Sequence, residues 1–313
     1  MYNYLMEEIN GLSKQVNNIE EKRNEIILPQ QIEDFLRDVA VGKSEGTSQT
    51  YRRCLVWFIE WWHQHVGEAF DVAAITSVDL KEYQRVMESK GYKPATINLR
   101  MRAIASFLKW ALDVGLIERT PQFPKSVSEQ KRPPQALERA EVNRLLRELE
   151  KGRKPRDIAF VRLLLSCGLR ISEAVQLQVE DIQMSERKGT LTVRYGKGNK
   201  WRVVPIPAQT REAIKQWLAV KPESPWLFPS QKDRTKHIDH TQGWRIVKKY
   251  AQRTGLDIHP HTLRHTFAYT VLHSGADLVS VAELLGHSSL ETTKIYTRPK
   301  MEDLERFVEQ GEY

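Results

Sequence analysis

A polar stretch with proline at both ends, PQFPKSVSEQKRPP over residues 121–134, interrupts a largely helix-patterned chain of 313 residues, and it constrains the fold more than any other feature. Proline donates no backbone hydrogen bond and pushes the residue before it toward extended backbone, so neither a helix nor a central strand runs through such a segment. Its basic pair and few apolar residues suit an extended connection. The chain must therefore close two separate cores. The division predicted is an N-terminal extension over 1–26, a first domain over 27–120, a linker over 121–136 and a second domain over 137–313. Each domain is long enough to bury a core of its own.

Hydrophobic periodicity fills in the elements. In residues 1–26, Leu5, Ile9, Leu12, Val16 and Ile19 are spaced as on a short amphipathic helix, either a partner arm or a frayed extension. Four helices are predicted in the first domain: PQQIEDFLRDVAVG, then 47–65 with the stripe Leu55, Phe58, Ile59 and Trp62, then SVDLKEYQRVMES and PATINLRMRAIASFLKWALDVG. Gly42, Gly91, Pro94 and Gly115 punctuate them. Beyond the linker, LERAEVNRLLRELE and RDIAFVRLLLSCG are helical, with Gly168 as terminator. The short strands TLTVRY and WRVVPIP follow, joined by GKGNK as a hairpin loop. Helical periodicity then returns in REAIKQWLAV, GWRIVKKYAQRTG, TLRHTFAYTVLHSG, DLVSVAELLG, SLETTKIY and MEDLERFVEQ. The fold class expected is mainly α with a small antiparallel sheet in the second domain.

Charge is unevenly divided. Residues 1–125 hold 16 Lys and Arg against 17 Asp and Glu, and residues 126–313 hold 32 against 23. A basic second domain suits a polyanion, because each neutralised phosphate releases counterions. No apolar run approaches the ~20 residues of a membrane span, and the start lacks a signal-peptide pattern, so a cytoplasmic protein without membrane contact is expected. Cys54 and Cys167 lie in apolar helical stretches and read as reduced packing residues. No HExxH, aspartate cluster, CxxC or Walker-type loop is present, so neither metal nor nucleotide cofactor is expected.

Four segments carry chemistry: GLRISEAVQL, YGKGNKWRVVP, HPHTLRHTFA and LLGHSSLETTKIYT. Arg170 follows Gly168 and Leu169 at a helix start, and a guanidinium presents paired donors that match two phosphate oxygens. Glu173, one turn on, would orient it or cap the helix. His261 and Arg264 are three apart and share a helix face, which sets a titratable imidazole beside a second phosphate-binding cation. His265 is assigned to another direction, as a packing or surface group. His287 follows Gly286, and Tyr296 follows nine residues later.

Together these segments resemble the catalytic motifs of the tyrosine recombinase (phage integrase) family, nearest its Xer-type and transposon-encoded members. The order Arg170, Lys197, His261, Arg264, His287, Tyr296 is complete, and the last four keep the family's spacing of 3, 23 and 9. Ser44, Thr47, Tyr51, Arg52, Arg53 and Leu55, with TINLRMRAIASFLKW, also reproduce the pattern of the family's core-binding domain. The resemblance implies a four-helix SAM-like core-binding domain followed by an α+β catalytic domain. It further implies a site-specific recombinase that cuts and rejoins DNA through a 3′-phosphotyrosyl link and a Holliday junction.

In that chemistry Tyr296 is the nucleophile, Arg170 and Arg264 hold the phosphate, and His287 donates a hydrogen bond. His261 takes the tyrosine proton, and Lys197 on the hairpin gives one to the leaving 5′ oxygen. Lys200 and Arg202 are expected on the DNA backbone. Thr47, Gln49, Arg52 and Arg53 on one helix, and Lys93, Thr96, Asn98, Arg100 and Arg102 on another, are expected in the major groove, an ordinary polar helix face being the other reading. The partners implied are double-stranded DNA with paired half-sites and a homotetramer on it; accessory proteins are left open. Residues 299–313, with the stripe Met301, Leu304, Phe307 and Val308, are suited to packing on a neighbouring protomer. The rival functions are a non-cleaving DNA-binding accessory factor and a type IB topoisomerase or telomere resolvase. Integration, excision and cointegrate or dimer resolution are not separable at this point.

Overall fold

The computed structural model describes residues 28–42, 45–67, 69–129, 136–194, 201–287, 289–297 and 309. The chain divides into two compact units, Met1–Lys131 and Arg132–Tyr313. The expected arm within 1–26, the GKGNK loop with Ser44 and the apolar stripe of 301–308 lie outside the described residues.

The first unit contains α1 (Gln30–Gly42), α2 (Glu45–His65), α3 (Ser77–Ser89) and α4 (Pro94–Asp113). Local chemistry sets their ends. Thr76 and Asp79 form a reciprocal capping box at the start of α3, and Pro94 occupies the first turn of α4, where its missing N–H costs nothing. Phe35, Phe58, Trp62 and Phe107 are fully buried and make the core strongly aromatic.

Two side chains expected to face DNA are instead built into this unit. Arg100 is buried, its guanidinium 4.3 Å from the Trp57 ring centroid and 4.4 Å from that of Tyr92. A cation held between aromatic faces is stabilised by their quadrupoles and is spent on the core. Asn98 pairs with the backbone of Val127 in both directions at 2.9 Å and reaches Glu129 at 3.1 Å. It thereby fastens the first half of the proline-bounded stretch, whose Phe123 and Val127 pack on the core.

The second unit contains α5 (Arg139–Lys151), α6 (Pro155–Cys167) and the single-turn α7 (Ile171–Val175). A three-stranded antiparallel sheet follows, β1 (Ile182–Met184), β2 (Gly189–Val193) and β3 (Arg202–Pro205), ordered β1-β2-β3. Then come α8 (Ala208–Leu218), α9 (His240–Thr254), α10 (Pro260–His273) and α11 (Leu278–Leu285). β1 was not anticipated: three residues paired through Ile182 and Leu191 are too short to show alternation. The helix expected over SLETTKIY is instead two 3₁₀ turns, Leu290–Thr292 and Lys294–Tyr296. β-branched Thr292, Thr293 and Ile295 disfavour a longer α-helix there.

α6 runs through the middle of this unit, with Ala159, Phe160, Leu163, Leu164 and Cys167 fully buried. It ends at Gly168, whose φ of 62° lies in the left-handed region and whose position leaves no room for a Cβ, 2.3 Å from the Phe267 ring. Both cysteines are buried and unpaired, and burial raises both thiol pKa values, that of Cys167 to about 12. Among the described residues no helix is long and apolar enough to cross a membrane.

Candidate active site

The turn at Gly168 delivers Arg170 to the N-cap of α7, and Glu173 closes the first turn of that helix. One carboxylate oxygen accepts the Arg170 backbone N–H at 2.8 Å; the other accepts its side-chain N–H at 2.7 Å. Glu173 is almost completely buried and also accepts from both terminal nitrogens of Arg202, at 3.1 and 2.8 Å. Arg264 approaches the same carboxylate at 3.9 Å. Burial alone would raise the Glu173 pKa, but the hydrogen bonds and charge of Arg202 and then Arg170 hold it below the usual carboxylate range.

Three successive carbonyls at the end of α11 complete the arrangement. Leu284 accepts from Arg202 at 2.8 Å, Leu285 from Arg264 at 2.7 Å and Gly286 from Arg170 at 3.4 Å. These are helix-terminal acceptors with no partner inside the helix, lying at the negative end of its dipole. Arg264 also donates to the Gly168 carbonyl at 2.6 Å, which ties the α6 terminus into the cluster. Gly286 adopts a φ of 63°, and a Cβ there would meet Arg202 at 2.8 Å.

Arg202, expected on the DNA backbone, is 8% exposed with its guanidinium fully committed, so it organises the cluster from within. Arg264 is 4% exposed, and burial followed by repulsion from Arg170 lowers its pKa to about 10, leaving it charged at neutral pH. Arg170, at 24%, keeps the largest accessible edge of the three. Lys197 and Lys200 lie outside the described residues.

Tyr296 is buried, with its pKa raised by burial against the opposing pull of Arg264 and Arg170. Its hydroxyl meets His265 Nδ1 at 2.7 Å. That contact corrects the assignment of His265 to packing or surface. The legible signal was its spacing: four residues after His261, it lies one turn along the same helix face. His261 itself is exposed and has its ring centroid 6.5 Å from that of His265, so it does not meet the phenol. Surrounding protein, then His259, Arg264 and Arg170, lower the His261 pKa.

His287 is held through Nδ1 by the hydroxyl of fully buried Thr293 at 2.9 Å. Burial, then Arg264, Arg170 and Arg202, lower its pKa to about 4, so it is neutral at pH 7. A neutral imidazole held this way has one nitrogen left for a ligand. Thr293 drew no attention in the sequence, since a threonine inside TTKIY carries no chemical signature of its own.

In the first unit, Arg53, Gln49, Lys93 and Arg102 are exposed, and Thr47 and Thr96 partly so. Arg52 pairs with Glu33 at 2.5 Å. The exposed members form a candidate nucleic-acid surface on α2 and α4, without Arg100 and Asn98.

The sequence model of the phage integrase family matches residues 135–303, and that of the phage integrase N-terminal SAM-like domain matches residues 32–115. Tyrosine recombinase XerA of Pyrococcus furiosus is 36% identical over 277 residues, spanning 86% of this chain and 89% of that protein. Tyrosine recombinase XerD of Pseudomonas putida is 33% identical, over 82% of this chain and 87% of that protein. Among solved structures, the XerH site-specific recombinase bound to palindromic difH substrate, in a post-cleavage complex, superposes with a TM-score of 0.72. It is 25% identical and covers 92% of this chain and 85% of its own.

Proposed function

Because the chain belongs to the phage integrase family of tyrosine recombinases, we propose that its arginine cluster grips one phosphate of duplex DNA while Tyr296 attacks it. The chain is a site-specific recombinase, an enzyme that cleaves and rejoins DNA strands. The assignment of its residues rests on one observation above all: three guanidiniums converge on Glu173 and the end of α11, with Tyr296 buried beside them.

The accessible edge of Arg170, with Arg264, takes the non-bridging oxygens, and fixed cations in a partly buried site offset the charge of the transition state. His287 donates from its free nitrogen, and exposed His261 faces the incoming phosphate from the rim. The Tyr296 oxygen bonds to phosphorus as the bond to the 5′ oxygen breaks, and Lys197 gives the departing 5′ oxygen its proton. The resulting 3′-phosphotyrosyl link conserves the energy needed for rejoining. Arg53, Gln49, Lys93 and Arg102 supply groove and backbone contacts from the first unit.

Paired half-sites and a tetramer complete the reading, since dimeric recognition mirrors half-site symmetry. The stripe within 301–308 is assigned to packing on the neighbouring protomer. Resolution or simple-site exchange is favoured because residues 1–26 are acidic overall, with five Glu against three Lys and Arg, unlike a basic DNA-binding arm. The test is incubation with nicked suicide DNA. A covalent protein–DNA adduct is expected and must disappear in Tyr296→Phe; persistence of the adduct in that variant overturns the assignment.

A further inference from the structure

We propose that His265 is the group that receives the Tyr296 phenol proton during cleavage and returns it during rejoining. The proposal rests on Tyr296 being the nucleophile and adds a catalytic residue to that site. A phenol must lose its proton as its oxygen bonds to phosphorus, and an acceptor has to lie within hydrogen-bond reach. Among the described residues, the acceptor facing the Tyr296 hydroxyl is His265 Nδ1, at 2.7 Å. The two rings stand 5.5 Å apart at 54°, placing the ring nitrogen rather than the ring face against the oxygen. His261 is a helical turn away and exposed.

The resting protonation states agree with this geometry. Burial, followed by the charges of His261, His259 and Arg264, lowers the His265 pKa to about 4. Burial holds Tyr296 above its ordinary value. At neutral pH the pair is therefore a phenol donating to a neutral imidazole, which is the ground state a general base requires.

On attack, the Tyr296 Oη–P bond forms, the P–O5′ bond breaks with a proton passing from Lys197 to the departing O5′, and the phenol proton passes to Nδ1. The resulting imidazolium lies near Arg264, and the negative phosphate that DNA brings offsets that repulsion. In rejoining, the 5′ hydroxyl attacks and returns its proton to Lys197, while the tyrosine oxygen leaves and takes back the proton held on Nδ1.

The test compares the full-length chain with His265→Ala and His265→Asn in single-turnover cleavage of nicked suicide DNA. Asparagine can place an acceptor oxygen near the position of Nδ1 but cannot take the proton, so it separates holding from proton transfer. Cleavage is expected to fall about 10²- to 10⁴-fold in both variants, and imidazole in the buffer to restore part of the loss in His265→Ala. Joining from a strand activated as a 3′-p-nitrophenyl phosphate needs no proton on its leaving group and is expected to remain within a few-fold of wild type.

Cleavage near the wild-type rate in His265→Asn would reduce His265 to a positioning residue and overturn the proposal. An equal loss in p-nitrophenyl joining would do the same. Retention of the adduct in Tyr296→Phe would instead defeat the nucleophile assignment, so the two failures are distinguishable. If His265→Ala fails to fold, the similarly shaped asparagine variant carries the comparison.

Discussion

Replacing Glu173 with glutamine removes one charge and almost no volume, yet it strikes the point where three guanidiniums meet. The carboxylate accepts four hydrogen bonds, from the Arg170 backbone and side chain and twice from Arg202, while being almost completely buried. Glutamine turns one acceptor oxygen into a donor that faces a guanidinium, and leaves Arg202 and Arg264 as buried cations without a counter-charge. Breaking a buried ion pair by deleting one partner costs about 3–5 kcal/mol. At ~2–4 °C per kcal/mol for a domain of this size, the melting transition of the second unit should fall by roughly 6–20 °C. Near-UV circular dichroism on heating measures it.

The pH dependence of the same group has a definite sign. The folded pKa lies below the unfolded value of about 4.3, so the contribution of Glu173 is fully present above that value. It is lost as pH falls through the folded pKa. The difference in melting temperature between wild type and Glu173→Gln should therefore be constant near neutrality and shrink in acid. A drop under about 2 °C at pH 7, or a gap that widens in acid, would refute the claim that this carboxylate holds the cluster together.

Arg100→Met should lower the stability of the first unit by about 2 kcal/mol through loss of the cation between Trp57 and Tyr92, leaving the salt dependence of DNA binding unchanged. Exposed Arg102→Ala should do the reverse, with no melting shift and a salt slope reduced by about 0.9 per lost phosphate contact in a binding titration. Gly168→Ala must place a Cβ at positive φ against Phe267 and should cost about 1–3 kcal/mol, read from urea unfolding. Thr293→Val removes the hydroxyl that holds His287 and should slow suicide-substrate cleavage about tenfold or more while leaving DNA affinity unchanged, measured by filter binding.

The helices were legible because their periodicity is long and their punctuation strong: α3 spans the same residues in sequence and structure, from Ser77 to Ser89. β1 was invisible because its three residues acquire strand character only by pairing with β2. Family membership was legible wherever residue type and spacing coincide, as in the run from His261 to Tyr296. Environment was not. Arg100, Asn98 and Arg202 all look like surface DNA contacts in one dimension, since an arginine buried against an aromatic pair or a carboxylate is spelled the same way as an exposed one. His265 shows the converse: its partner lies 31 residues further on, and only the fold brings the two together.

The three arginines that cap α11 also divide the polypeptide mechanically. Up to Gly286 the backbone is bolted to the arginine cluster by its own carbonyls, whereas the stretch from Ser289 to Tyr296 has backbone bonds of the i→i+3, 3₁₀ kind, Thr292 to Ser289, Thr293 to Leu290 and Tyr296 to Thr293, besides the side-chain ties of Thr293 and Tyr296. The hydrogen-bond geometry of such turns is poorer than that of an α-helix. A pull on the chain beyond Gly286 would therefore meet the end of α11 as a fixed anchor, with Thr293 tied back to His287 and Tyr296 to His265.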